Sequence, residues 1–264
     1  MDGRVMLLAI ETATDLVGVA VLGPDGGVVE RSHVGGRLHA ELLAPAIEEA
    51  CALSGCVMGD VDALAVDVGP GLFTGLRVGV ATAKALGQAL GLGVLGVTSL
   101  DILAAGAREL AGAPRASRVV AVVDARRHEV FAAAYSFGED GAAGPVDPAD
   151  VREDRSEALS PEELVAWLDV LASDGPVLVV GDGAVRYLEL LAPRTGLDCG
   201  LAGEVSAPSP SSLARLAARR LAAGSAPTAP GDLVPDYRRH ADARINWEER
   251  APQRTGGRPA ADGT

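Results

Sequence analysis

The stretch 69-GPGLFTGLRVGVATAKALG-87 runs a Gly-Pro-Gly loop into a helix built almost wholly of small and apolar residues. Two roles fit the loop. Backbone N–H groups at a helix N-terminus carry partial positive charge, and glycines let a phosphate approach them. On that ground Gly69, Gly71, Thr74 and Gly75, with Arg77 as a charged donor, are candidate phosphate ligands. The same residues also suit a tight strand-to-helix turn, where Gly supplies positive φ and Pro stiffens the backbone. The GxxxxGK[ST] spacing of a Walker loop is missing. The helix is the more informative half. Positions 76, 80, 83, 87 and 90 are Leu, Val, Ala, Gly and Leu, and only Arg77, Thr82, Lys84 and Gln88 interrupt the apolar surface. A helix apolar on most sides lies in a core or meets a second surface. Its Gly79-xxx-Ala83-xxx-Gly87 stripe would let another helix approach closely.

Upstream of the loop, residues 6–34 read as three strands. MLLAIET is a continuous apolar run, LVGVAVL follows a turn at Ala13–Asp15, and VVERSHV follows the turn signal GPDGG. Connections this short make the strands antiparallel neighbours. Apolar residues at 42, 43, 46, 47, 50 and 53 predict a helix over 39–53, with Pro45 placed early in it or kinking it. Strands at 63–68 and 93–99 alternate with helices at 76–90 and 100–110. Near Arg118 the theme restarts: VVAVVDARRHEVFAAAYSF is again strand–turn–strand. Residues 138–160, rich in Gly, Asp and Pro, read as a loop or poorly ordered insert. Ser160-Pro161-Glu162-Glu163 opens a helix with Ser at N-cap, Pro at N1 and Glu at N3. A strand at 177–180 and a helix at 211–223 complete the pattern. The expected fold is a duplicated α/β architecture with mixed sheets, flanking helices and a cleft between halves. Its predicted parts are an N-terminal lobe over 1–110, a second lobe over 111–210, a return helix and segment over 211–240, and a disordered tail over 241–264.

Composition bounds the function. The chain has 264 residues, 48% of them hydrophobic, ample for a buried core. A net charge of −13 repels nucleic-acid phosphates, so any work on RNA needs positive charge from elsewhere. Lys84 is the only lysine among many arginines, which fits a GC-rich genome. Cys51, Cys56 and Cys199 form no CxxC pair, which disfavours a disulfide framework or thiolate zinc site and fits a reducing cytosol. No secretory start is evident, and the most apolar stretch, 85–107, is broken by Gln88, Asp101 and glycines, so it is not read as a membrane span.

The first turn, 11-ETATD-15, places Glu11, Thr12 and Thr14 between buried strands, where a magnesium–phosphate group can sit. It contains no glycine, and an ordinary polar hairpin explains it equally well. His33, His39, His128 and His240 lack the three- or four-residue spacing of a helical metal pair, and no GxSxG elbow presents a serine.

Taken together, 7-LLAIETATDLVGVAVL-22, 37-RLHAELLAPAIEEA-50, 62-DALAVDVGPGLFTGLRVGVATAKALG-87, 122-VVDARRHEVFAAAY-135, 180-VGDGA-184 and 235-PDYRRHADA-243 resemble the TsaB family. That family is the small actin-like subunit of the bacterial machinery making threonylcarbamoyladenosine in tRNA. The catalytic paralogue family, TsaD, is longer and carries a HxxxH metal motif that these four histidines do not form. The IETATD opening leans toward TsaD, since TsaB proteins more often have Asp where Glu11 stands, but the Phe-Thr-Gly-Leu-Arg run at 73–77 favours TsaB.

The resemblance implies a two-lobed sugar kinase/actin-like fold without catalysis or metal of its own. It implies pairing with a TsaD-type subunit through the first two helices of the N-terminal lobe. Here those helices offer His39, Leu42, Leu43, Ala46, Ile47 and Ala50, then Leu76, Val80, Ala83, Gly87 and Leu90. Further implied partners are a TsaE-type ATPase and, within the complex, tRNA. A homodimer is expected when the chain is alone, in the cytoplasm, with ATP or ADP bound weakly or not at all. The competing readings are an active phosphotransferase or acyltransferase using the turn and glycine loop, and a glycoprotease-like metallopeptidase of the M22 type.

Overall fold

The computed structural model describes residues 5–34, 38–111, 118–136, 152–154 and 157–238. The expected disorder of 241–264 lies outside them. The N-terminal meander forms as the apolar runs and turn signals predict. β1 (Leu7–Glu11), β2 (Leu16–Leu22) and β3 (Val28–Val34) are antiparallel neighbours, with Ile10 opposite Val19. After α1 (His39–Ser54), β4 (Ala63–Gly69) returns parallel to β1 with Ile10 opposite Val66. α2 (Phe73–Leu90) leads to β5 (Val94–Thr98), parallel to β4, so the sheet order is β3-β2-β1-β4-β5. Every residue of β4 is buried, as a central strand covered on both faces requires.

Side chains alternate between the two faces of this sheet. Leu8, Ile10, Val17, Val19 and Val66 point toward α1 and α2, while Leu7, Ala9, Ala20 and Ala65 point to the opposite side. On that side stands α3 (Ser99–Ala111), which is apolar on two faces. Ile102 and Ala105 pack on the first sheet, and Leu100, Leu103, Ala104 and Ala107 pack on the second.

The second sheet repeats the plan. β6 (Arg118–Arg126) and β7 (Glu129–Ser136) form a hairpin, and β8 (Arg152–Asp154) pairs with β7. This corrects the reading of 138–160 as loop throughout, because β7 offers a free edge that Arg152–Asp154 pair with and Leu159 bridges to Val130. α4 (Pro161–Ser173) starts with the expected capping box, Ser160 Oγ accepting from the Glu163 N–H and Glu163 accepting from the Ser160 N–H. Then come β9 (Val177–Val180), the short helices α5 (Asp182–Arg186) and α6 (Leu188–Leu191), and β10 (Leu197–Asp198), giving the order β10-β9-β6-β7-β8. α7 (Pro210–Ala222) crosses back and packs Leu213, Leu216 and Ala217 under the first sheet beside α3.

One network ties the halves together, and one strap closes the edge of the first lobe. Buried Asp101 of α3 accepts bonds from Tyr135 Oη (3.0 Å), Arg152 Nη1 (3.2 Å) and Arg220 Nη2 (2.9 Å). Residues 226–238 form a strap along the first lobe: Thr228 and Val94 exchange backbone bonds of 2.8 and 3.0 Å, which covers the edge strand β5. Lys84 Nζ holds the strap through the Gly231 and Leu233 carbonyls. Among the described residues no helix is long and apolar enough to cross a membrane.

Candidate functional site

The two candidate phosphate loops meet, and they meet through backbone. The Leu72 N–H donates to the Ala13 carbonyl at 2.6 Å, so the glycine loop is bonded directly to the first turn. A Cβ on Gly71 would strike the Ala13 carbonyl, one on Gly75 the Thr12 carbonyl, and one on Gly79 the Thr12 hydroxyl. These glycines therefore let α2 lie against the strand end. Gly69 adopts φ +101°, which turns the chain out of β4. The Thr12 hydroxyl is bonded to the Gly75 carbonyl at 2.9 Å and is buried. The His39 ring, also buried, bonds the Thr14 carbonyl through Nε2 at 2.8 Å; that oxygen only accepts, so Nε2 carries the proton.

Two carboxyl groups lie under this contact. The register of β1 and β4 sets Glu11 beside Asp67. Glu11 Oε1 accepts from the Ala13 N–H at 2.8 Å, and Asp67 Oδ1 accepts from the Gly69 N–H at 2.7 Å and Ser99 Oγ at 2.8 Å. Glu11 Oε2 and Asp67 Oδ2 are left buried with only each other to satisfy. Burial, then the charge of Asp67, holds the Glu11 carboxyl well above the usual carboxylate range, and burial raises Asp67 too. Both shifts favour one proton on the pair over two buried charges, with Glu11 its preferred carrier. A neutral acid bonded to its neighbour is a poor magnesium ligand.

The second lobe presents the hairpin turn of 122-VVDARRHEV-130 to the first. Arg126, Arg127 and His128 all adopt positive φ, of 65°, 52° and 60°. Asp124 holds the turn, accepting from the Arg126 N–H (2.9 Å), Arg126 Nη1 (3.1 Å) and Arg186 Nη1 (3.0 Å), while its own N–H donates to Asp182 Oδ1 (2.8 Å). Burial pushes the Asp182 carboxyl upward. Arg126 reaches across to Asp15 of the first turn at 3.9 Å. Between Thr14, Gly71, Asp124, Arg126 and Asp182 remains a cleft of about 20 Å³. That volume admits about one water, whereas small-molecule sites span roughly 300–1,000 Å³.

The sequence-predicted residues sort accordingly. Glu11, Thr12, Thr14, Gly69, Gly71 and Gly75 do converge, but on one another. Thr74 is exposed, and Arg77 lies outside the cleft, its guanidinium over the Phe73 ring. The partner-facing reading of the two helices needs a larger correction. His39, Leu43, Ala46, Ile47 and Ala50 of α1, and Leu76, Val80, Ala83 and Gly87 of α2, are buried against the lobe's own sheet and neighbours, and Leu42 and Leu90 are half-buried beside them. Gly87 faces Pro230 of the strap and Val94. The exposed faces instead carry Ala40, Ala44 and Leu53 on α1, and Ala81, Ala85 and Ala89 on α2. Asp67, Ser99, Asp124 and Asp182 were missed as site residues, although a lone Asp inside the apolar run ALAVDVG was a legible signal. Among the described residues no group of three or more His, Cys, Asp or Glu is placed to hold a metal ion.

Comparison with known proteins fits this geometry. Residues 17–150 match the family model described as TsaD: tRNA N6-adenosine threonylcarbamoyltransferase. The tRNA threonylcarbamoyladenosine biosynthesis protein TsaB of Bacillus subtilis is 31% identical over 248 residues, covering 92% of this chain and 98% of that protein. Its Escherichia coli counterpart is 33% identical over 198 residues, covering 71% and 84%. A crystal structure of an uncharacterized Pseudomonas aeruginosa protein with similarity to peptidase YeaZ superposes with a TM-score of 0.71 at 30% identity, covering 89% of this chain and all of that one. The TsaD model reaches only the first half and its following segment, while the TsaB relatives run through both lobes. The chain belongs to the TsaB family.

Proposed function

We propose that this chain is a non-catalytic subunit of the machinery that makes threonylcarbamoyladenosine in tRNA, where it binds and organises a TsaD-type catalytic subunit. The relatives named as tRNA threonylcarbamoyladenosine biosynthesis proteins support the pathway. The observation that carries the non-catalytic role is the 2.6 Å backbone bond from Leu72 to Ala13, which closes the phosphate loops on each other. With one proton held between Glu11 and Asp67, the turn presents a metal with one buried negative charge rather than two. The exposed faces of α1 and α2 are the surface offered to the catalytic subunit, with Ala81, Ala85 and Ala89 permitting close helix approach. The same faces serve a homodimer when the chain is alone. A TsaE-type ATPase and tRNA join only in the assembled complex, which supplies the positive charge that a chain of net −13 lacks.

Co-purification with the TsaD-type protein of the same organism tests the reading. Ala85→Arg sets a long cation on the exposed face of α2, and an unpaired charge trapped in an interface costs at least several kcal/mol. At about 1.4 kcal/mol per tenfold, association should fall by two or more decades while the isolated variant melts normally. Undiminished association would place the interface elsewhere.

A further inference from the structure

The chain holds 3 Phe, 3 Tyr and 2 Trp. Among the described residues the aromatic rings that stand exposed are Phe73, at 40%, and Tyr237, at 43%. They come from opposite ends of the chain and touch, with ring centroids 5.3 Å apart. Arg77 joins them: its guanidinium lies 3.8 Å from the Phe73 centroid, and its Nε donates to Tyr237 Oη at 3.4 Å. Arg118, Arg126, Arg152, Arg186 and Arg220 each pair with a carboxylate, but no carboxylate of the described residues pairs with Arg77. An exposed aromatic pair and a cation that pairs with no described carboxylate thus share one small surface, and Val234, on the same strap as Tyr237, is 71% exposed.

The strap that carries Tyr237 is anchored on both sides of the ring. Tyr237 rides on the strap, whose Asp236 N–H donates to the Val68 carbonyl at 2.7 Å. The next residue, Arg238, grips both oxygens of Asp154 at 2.6 and 2.7 Å. Preorganisation of this kind lowers the ordering cost of association.

We propose that Phe73, Arg77 and Tyr237 form a docking hot spot that receives a carboxylate, flanked by apolar side chains, from a second protein. The proposal rests on the function given above, so that protein is the catalytic subunit. Tyr and Arg are the residue types in which binding energy concentrates, and a guanidinium presents a fork matched to a carboxylate. The charge complementarity is local: on an acidic chain, an exposed guanidinium that pairs with no described carboxylate selects an acidic group. RNA fits less well. The guanidinium covers a face of Phe73 on which a base would stack, and one cation does little against a phosphate backbone.

The test is titration of the full-length chain into the catalytic subunit by calorimetry, with Arg77→Glu, Arg77→Gln and Ala85→Arg as variants. Arg77→Glu should weaken association about thirtyfold or more, the loss expected of a hot spot. Arg77→Gln, which keeps a planar amide over the ring, should weaken it about tenfold with a Tm within about 2 °C of wild type. If Arg77→Glu also lowers the Tm, Arg77→Gln decides. Binding by both Arg77 variants within twofold of wild type, alongside loss with Ala85→Arg, sinks the hot spot and leaves the helix-face reading standing. Unchanged protein association with weaker tRNA retention by the assembled complex overturns the proposal in favour of an RNA contact. A wild-type chain that does not bind the catalytic subunit at all removes both.

Discussion

Burial, then the charge of Asp67, favours the protonated form of Glu11, whose second oxygen the fold leaves without a donor. Its folded pKa is raised above the unfolded value, and the same holds for Asp67. The sign follows from linkage: the native state binds the extra proton more tightly, so its contribution is fully present below the unfolded carboxyl pKa and is lost as pH rises through the folded one. Glu11→Gln supplies a permanent N–H donor of nearly the same shape. The variant should therefore lose less stability than wild type between pH 5 and pH 9. A tenfold change in proton affinity is worth about 1.4 kcal/mol, which moves the midpoint of a chain this size by about 2–4 °C. Thermal melts of both proteins across that range check it, and parallel curves would mean the pair holds no shared proton. Only the position of Glu11 was legible in sequence. Asp67 lies far along the chain, and parallel pairing of β1 with β4, a tertiary event, makes them neighbours.

At the scale of elements, α2 shows where periodicity stops being informative. The apolar residues cover so much of its circumference that sequence contrast cannot say which side faces inward. The sheet resolves it: Ala83 is fully buried with Val80 among Ile10, Val66 and Val94, while Ala85, two residues on, is exposed. Ala83→Arg should accordingly collapse the lobe, because an arginine does not fit there and its charge would have no partner. Loss of the cooperative thermal transition, against a near-normal melt for Ala85→Arg in the isolated protein, is the expected contrast. A soluble, normally melting Ala83→Arg protein would show that the buried face has been assigned to the wrong side. α4 behaves in the opposite way. Its start was readable residue by residue, because a capping box is local chemistry that needs no tertiary partner.

For the whole molecule, closure of the cleft is the governing feature. The Leu72–Ala13 bond closes the first lobe's two loops on each other, while the Arg126–Asp15 contact and the Asp101 network hold the halves with about 20 Å³ between the two turns. ATP added to the isolated chain should bind weakly or not at all, with negligible hydrolysis. Calorimetry gives the answer: micromolar affinity that disappears in Thr12→Ala would require the lobes to open and the loops to part. The same chain at net −13 should not retain tRNA at physiological ionic strength, where the Debye length is about 8 Å and an acidic surface gains nothing from counterion release. A mobility shift with the protein alone under those conditions would contradict this.

Sequence by itself determined the longer elements, the antiparallel meander, the duplication and the family, because each is written in short-range patterns: apolar runs, period-3.6 apolar spacing, turn residues, and motif strings in a fixed order; the short β8, α5, α6 and β10 carry too little pattern to be read that way. It did not determine what the glycine loop does. Gly71 and Gly75 read alike as phosphate cradles or as places where backbones touch, and the contact of Gly71 with Ala13 decides between them. It did not determine which face of α2 is free, or that Phe73 and Arg77 meet Tyr237, since these depend on a strap returning from the far end of the chain. Local order is set by neighbours along the chain. The site is set by neighbours in space, and only packing supplies those.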